Sequence, residues 1–247
     1  MIAASFTVAQ VVVVAAAIFF SAIVTAVAGF GFGLMSVPLM SLAIDLHSSV
    51  IVSSIVAVLA NGVQTTLFRK SLDRVLAVRL TLACIVGLPV GYTAYALVSD
   101  RPLRFALGAG VIVAVVLLAR GVNLSHVGPG MDWGLGFVSG VLNTSISTSG
   151  PPLVFDLQSR KLEADSFRAT INFVFLASNV IGLGLFAVGG KIHSRELVVG
   201  AIAAPALALG MWAGLPLRKR FSPESFRVLV MVLLVAGAVA AVAKAFT

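Results

Sequence analysis

Ten consecutive residues concentrate hydrogen-bonding side chains in an otherwise apolar setting: Asn143-Thr144-Ser145-Ile146-Ser147-Thr148-Ser149-Gly150-Pro151-Pro152. Hydroxyls and an amide at lipid depth need partners, and in that density they suit the oxygens of a small anion better than they suit a packed core. A second break, Gly29-Phe30-Gly31-Phe32-Gly33-Leu34-Met35-Ser36-Val37-Pro38-Leu39, interrupts another apolar run and is itself almost wholly apolar, so it offers mainly backbone N–H groups. A short helix starting after each break would present free N–H groups and the positive end of its dipole, which attract anions. Pro38 and Pro152 suit the first turn of such helices, where a missing N–H is not felt. Asn61, Gln64 and Asn179 place further amides inside apolar runs. The expected substrate-binding set is Gly31, Gly33, Ser36, Pro38, Asn61, Gln64, Asn143, Ser147, Thr148, Ser149, Gly150, Pro151 and Asn179. Competing uses are packing for the glycines and for Phe30 and Phe32, and hydrogen-bond glue between helices for Asn61 and Asn179.

The elements that position these residues are set by composition. Of 247 residues, 60% are hydrophobic and 11% charged, with mean hydropathy +1.10. Several runs exceed the roughly 20 apolar residues that span a bilayer. This is an all-α, polytopic membrane protein, expected in the inner membrane of the cell. Its formal charge of +8 comes from 17 Lys and Arg against 9 Asp and Glu. That excess reads as loop charge holding topology, not as a nucleic-acid surface. The single cysteine, Cys84, excludes a disulfide framework or thiolate cluster and reads as a small packing residue. The first apolar segment has no basic leader before it and reads as a retained helix. No His-Glu-x-x-His pattern or Cys/His set is present, so no metal, cofactor or catalytic residue is expected, and a membrane-embedded enzyme or an assembly subunit ranks last. All nine carboxylates are placed at span edges or in loops. Asp45 and Asp156, each after a break, are the candidates for coupling transport to an ion. Whether the chain forms a homo-oligomer is left open.

The order of helices is Val8–Ala28, then the first break, then 49–68, 75–98 and 103–118. A polar, glycine-rich linker at 121–130 follows, then 132–155 with the second break, 167–188, 197–217 and 224–245. The stretch from Val8 to Leu42 would run about 52 Å as one helix, too long for one crossing and short of two, which suits a hairpin with a short leg. Residues recur between halves. Asn61 matches Asn179 and Phe68 matches Phe186 at an offset of 118; Gly87 matches Gly210 and Gly91 matches Gly214 at 123. The expectation is two inverted-topology repeats, 1–122 and 131–247, each a re-entrant helical hairpin plus three transmembrane helices. Charge agrees: with hairpins, twelve Lys and Arg face the cytoplasm and five the outside, whereas single crossings give nine and eight.

The residues 29–39 (GFGFGLMSVPL), 64–70 (QTTLFRK) and 149–155 (SGPPLVF) resemble those of the sulfite exporter TauE/SafE family, also called toluenesulfonate uptake permeases. The resemblance spans nearly the whole chain. It implies a permease for a small sulfur-containing anion, sulfite or an organosulfonate, working in export by alternating access around a midplane site between two hairpins. The second motif departs from the family in carrying hydroxyls where glycine is usual, which leaves open another small organic anion such as a carboxylate, taken up instead. Its partners are then a small anionic substrate and the lipid bilayer, with no nucleic acid. The charge balance makes a prediction: a topology reporter fused near Arg218 reads cytoplasmic and one near Lys191 reads periplasmic, and the reverse at both sites refutes the arrangement.

Overall fold

The computed structural model describes residues 6–120, 129–160 and 162–217, with positions 235 and 239. Every regular element among the described residues is helical: α1 (Val8–Ala28), α2 (Phe32–Met40), α3 (Leu46–Phe68, extended by the 3-10 turn Arg69–Ser71), α4 (Arg74–Leu97), α5 (Asp100–Arg120), α6 (Pro129–Ile146), α7 (Gly150–Ser159), α8 (Ala164–Val188) and α9 (Ser194–Leu217). Five of these are long and apolar enough to cross a bilayer: Val8–Ala28, Leu46–Ser71, Arg74–Leu97, Ala164–Val188 and Ser194–Leu217. Polarity is distributed as a bilayer demands. Val8, Phe20, Leu59, Val86 and Trp212 face outward, while Ser21, Thr25, Ser36, Ser53, Asn61 and Asn179 are buried inside. The expected helix 224–245 and linker residues 121–128 lie outside the described residues.

Side-chain caps move the expected boundaries outward. The helix expected at 49–68 starts at Leu46, because the Asp45 carboxylate accepts from the Ser48 N–H at 2.8 Å. Asp73 caps α4 in the same way through the Leu76 N–H at 3.0 Å.

The two breaks fold their segments back. Gln10 Nε2 at the start of α1 donates to the Ala43 carbonyl just past α2 at 2.9 Å. In the second half, Ser139 donates to the Ser149 carbonyl at 2.7 Å, and Arg160, just past α7, pairs with Asp132 in the first turn of α6. Arg79 of α4 binds the same Asp132 at 2.8 Å. The segment after α3 and the segment after α7 therefore share one end of the bundle. At the other end lie Gln10, Asp45 with Arg195 of α9 (3.8 Å), and His47 with Asp100 of α5.

The glycines at 87, 91, 210 and 214 have one physical job. The most extensive helix contacts are α4 on α6 and α1 on α9. A Cβ on Gly87 would lie 2.2 Å from the Phe137 carbonyl oxygen, and one on Gly91 2.1 Å from that of Val141. Their counterparts on α9 meet α1 equally closely: Gly210 at 2.5 Å from the Phe19 carbonyl oxygen, Gly214 at 2.6 Å from the Ala26 Cβ. Backbones approach this closely only where a side chain is absent. Gly91→Ala and Gly214→Ala should each lower stability by about 1–3 kcal/mol through overpacking. Gly134→Ala, whose Cβ would meet nothing within 4 Å, should not. Thermal unfolding in detergent micelles measures the difference.

Candidate functional site

The ends of α2 and α7 meet because two turns leave the ordinary helical region. Gly29 and Gly31 take left-handed conformations, φ +87° and +96°, which end α1 and start α2. Asn172 of α8 holds this turn, its Nδ2 donating to the Gly29 carbonyl at 2.6 Å. In the other half Ser147 has φ 53°, uncommon for a residue with a Cβ. Gly33 fits against it: a Cβ there would lie 1.9 Å from the Ser147 carbonyl oxygen.

A small, partly open cavity lies at this junction, lined by Gly31, Phe32, Gly33, Leu34, Ala57, Asn61, Asn143, Ser147, Ser149, Gly150, Phe175 and Asn179. Its volume of about 20 Å³ admits roughly one water molecule. The first backbone bond of α2 runs from the Met35 N–H to the Gly31 carbonyl, so the N–H groups of Phe32, Gly33 and Leu34 are left without helical acceptors beside the cavity. At α7, Pro151 and Pro152 have no N–H, so that end offers the Gly150 N–H and the Ser149 hydroxyl. Asn143 Nδ2 donates to Ser149 Oγ and to Asn179 Oδ1, both at 3.3 Å. Ser147 donates to Ser53 at 3.3 Å, and Ser53 shares a 2.8 Å hydrogen bond with Ser36. The Asn61 amide is buried at the cavity edge with no hydrogen-bond partner among the described residues. No Lys or Arg lines the cavity.

Eight expected residues thus surround one space: Gly31, Gly33, Asn61, Asn143, Ser147, Ser149, Gly150 and Asn179. Five do not line it. Ser36 lies behind the Ser53 hydroxyl, Gln64 donates to the Thr25 carbonyl of α1 at 2.8 Å, and Thr148 turns to the Ile146 carbonyl at 3.1 Å. Pro38 and Pro151 are buried away from it. Pro38 is also not in the first turn of its helix: it is interior to α2, where it deprives the Leu34 carbonyl of its helical donor. Pro152 is in the first turn, as expected. Phe175, Ala57 and Ser53 escaped sequence reasoning. Phe175 and Ala57 each precede an asparagine by four residues, which places them on the same helix face.

The carboxylates depart from expectation. Asp156 lies inside α7, fully buried, and neither of its side-chain oxygens has a hydrogen-bond partner among the described residues; Arg160 Nε is 3.6 Å away. Asp132 and Glu196 are buried too, Asp132 between Arg79 and Arg160 and Glu196 against Ser48 and Arg195. Asp132 is neutralised by cations from two other segments, Arg79 of α4 and Arg160 after α7, which a linear sequence does not display, whereas Glu196 pairs with its chain neighbour Arg195. Asp45 is accounted for as the α3 cap.

The Asn143–Asn179 bond joins α6 to α8 across the cavity wall. In a double-mutant cycle with Asn143→Ala and Asn179→Ala, a coupling of about 1 kcal/mol is expected in thermal unfolding. Strict additivity would show that the bond does not form.

The profile of the sulfite exporter TauE/SafE family matches residues 14–241. No curated protein and no solved structure matches the chain. With that match covering nearly the whole length of a helical, multi-pass membrane chain, the protein belongs to the sulfite exporter TauE/SafE family.

Proposed function

We propose that this protein is a permease that exports a small sulfur-containing oxyanion, sulfite or an organosulfonate, across the inner membrane. The observation that carries the reading is the meeting of two helix N-termini and two matched asparagines, Asn61 and Asn179, around one cation-free cavity. Backbone N–H groups from α2, with hydroxyls and amides from the second break, hold anion oxygens without a fixed opposite charge. Binding of that kind is reversible, as transport requires.

The reading includes two inverted repeats, 1–122 and 131–247. Three features support it. The α1–α2 segment has its termini at the end of the bundle that holds Asp45, whereas the α6–α7 segment has its termini at the end that holds Asp132. The matched glycines make matched contacts, α4 on α6 and α9 on α1. The arginines that follow α3 and α7 share one end, in keeping with the charge balance of the hairpin arrangement. A cavity with room for one water must open to admit an oxyanion of several heavy atoms. In this mechanism α2 and α7 separate toward one face at a time, giving alternating access.

Asp156 is the better candidate for carrying a coupling proton. It is buried without a side-chain hydrogen bond among the described residues, beside Asp132, and it sits in the short helix whose N-terminus lines the cavity. The donors lining the cavity also fit a carboxylate, so the substrate panel must include both classes.

Flux of radiolabelled sulfite, organosulfonates and small carboxylates into proteoliposomes tests the function. Ser149→Leu, which removes the α7 hydroxyl and fills the cavity, should abolish flux while the protein remains folded and expressed. Flux persisting in that variant makes the second break scaffold, and absence of any anion flux in the unaltered protein refutes the permease.

A further inference from the structure

A second and roomier cavity lies at the end of the bundle away from Arg79 and Asp132. Its volume is about 200 Å³, and it is walled by the first turns of α3 and α9, the last turn of α4, and the segment after α8. The groups it presents are of a kind absent from the central cavity: Lys191, Arg195, His47, His193 and Glu196.

Most of these are already committed. Glu196 is buried, accepts from the Ser48 hydroxyl at 2.8 Å and from Arg195 Nε at 2.7 Å, and receives the His193 N–H at 3.0 Å. Arg195 also reaches Ser48 at 3.1 Å and Asp45 at 3.8 Å. His47 is held between Asp100 and the Tyr95 carbonyl. Lys191 stands apart, a half-buried cation lining the cavity with no ion pair among the described residues. The acids nearby are spent on helix N-termini and on Arg195, so an entering anion meets one unopposed ammonium in a walled space, where charge is screened less than on an open surface.

The route inward is short. Ser48 and Ile51 of α3 line this cavity, and Ala57 and Asn61 of the same helix line the central one. Ile51 and Ala57 are separated by about 9 Å of helical rise. Between them Ser53 is bonded to Ser147 and Ser36.

We propose that this cavity is an outer vestibule for the transported oxyanion, with Lys191 as its receiving charge on the face that the charge balance makes periplasmic; the proposal rests on the permease reading and assigns the exported anion a site between the central cavity and release. A cation there receives the anion on its way out, and when transport is run from that face it concentrates anions at the mouth and leaves the translocation step itself untouched.

Chemical rescue tests this. Cys84 is the single native cysteine and is buried, so Lys191→Cys presents one accessible thiol. With sulfite or an organosulfonate supplied at that face, Lys191→Cys should raise KM about tenfold with Vmax within about twofold of the unaltered protein, as expected for loss of steering charge. Assayed with the organosulfonate, since sulfite would cleave the mixed disulfide, the membrane-impermeant reagent 2-(trimethylammonium)ethyl methanethiosulfonate should bring KM back, and its sulfonatoethyl counterpart should leave KM raised. Unchanged KM in Lys191→Cys, or a fall in Vmax at constant KM, overturns the vestibule while flux in the unaltered protein sustains the permease. Absence of flux in the unaltered protein overturns both.

Discussion

A helix that ends inside an apolar medium leaves backbone groups that water cannot reach, and everything distinctive about this protein follows from where those groups find partners. The chain breaks its helices at Gly29–Gly31 and at Ser147–Ser149, and brings the two loose ends to one place. The freed N–H groups of Phe32, Gly33 and Leu34 come to lie opposite the hydroxyls and amides of the second break. Neither segment would be tolerable alone. The first has donors with too few side-chain acceptors of its own, and the second has hydroxyls that need a wall to face. Gly33 is the point of closest fit, since any side chain there would strike the Ser147 carbonyl.

Bringing the ends together demands that the surrounding helices pack at backbone distance. Van der Waals contact, not hydrophobic burial, drives helix association in lipid, so small residues set the geometry. Gly87 and Gly91 let α4 reach α6, and Gly210 and Gly214 let α9 reach α1. Each broken segment is therefore clasped by a helix from the opposite half. That exchange ties the halves into one body, and it explains why the same glycine spacing recurs 123 residues apart.

Much of this was legible in the sequence. Helix-breaking residues in an apolar run cannot be hidden, and amides inside apolar runs stand out by type, so the breaks, the helix order among the described residues and most of the cavity lining could be read directly. What could not be read depended on neighbours distant in the chain. Asp156 reads as a span-edge residue because nothing local indicates that Asp132 of α6, held by the same Arg160, packs beside it. Gln64 resembled Asn61 in sequence but its partner is the Thr25 carbonyl on another helix. Pro38 was placed in a first turn because the start of α2 is fixed by the left-handed Gly31, seven residues earlier, and not by the proline itself. Lys191 was counted only as loop charge, since its lack of an ion pair is a fact about Glu196 and Arg195.

In the proposed permease, the two cavities would divide the problem of moving an anion through lipid. A cation at the centre would bind the anion tightly and would itself need stabilising at depth when the site is empty, at a cost of several kcal/mol. Neutral donors avoid that penalty, since an empty cavity can be filled by a water that satisfies the same N–H groups. They also attract the anion only at short range. Long-range attraction therefore has to come from elsewhere, and the end of the bundle is where a charged group keeps much of its hydration. In the proposed exporter, Lys191 at the outer mouth and uncharged donors within would form a gradient of positive charge rising toward the outside, which draws the anion outward without trapping it at the centre. The same logic fixes why the buried acids lie toward the ends and are paired: an unneutralised carboxylate beside the central cavity would repel the very ligand the helix termini are arranged to hold.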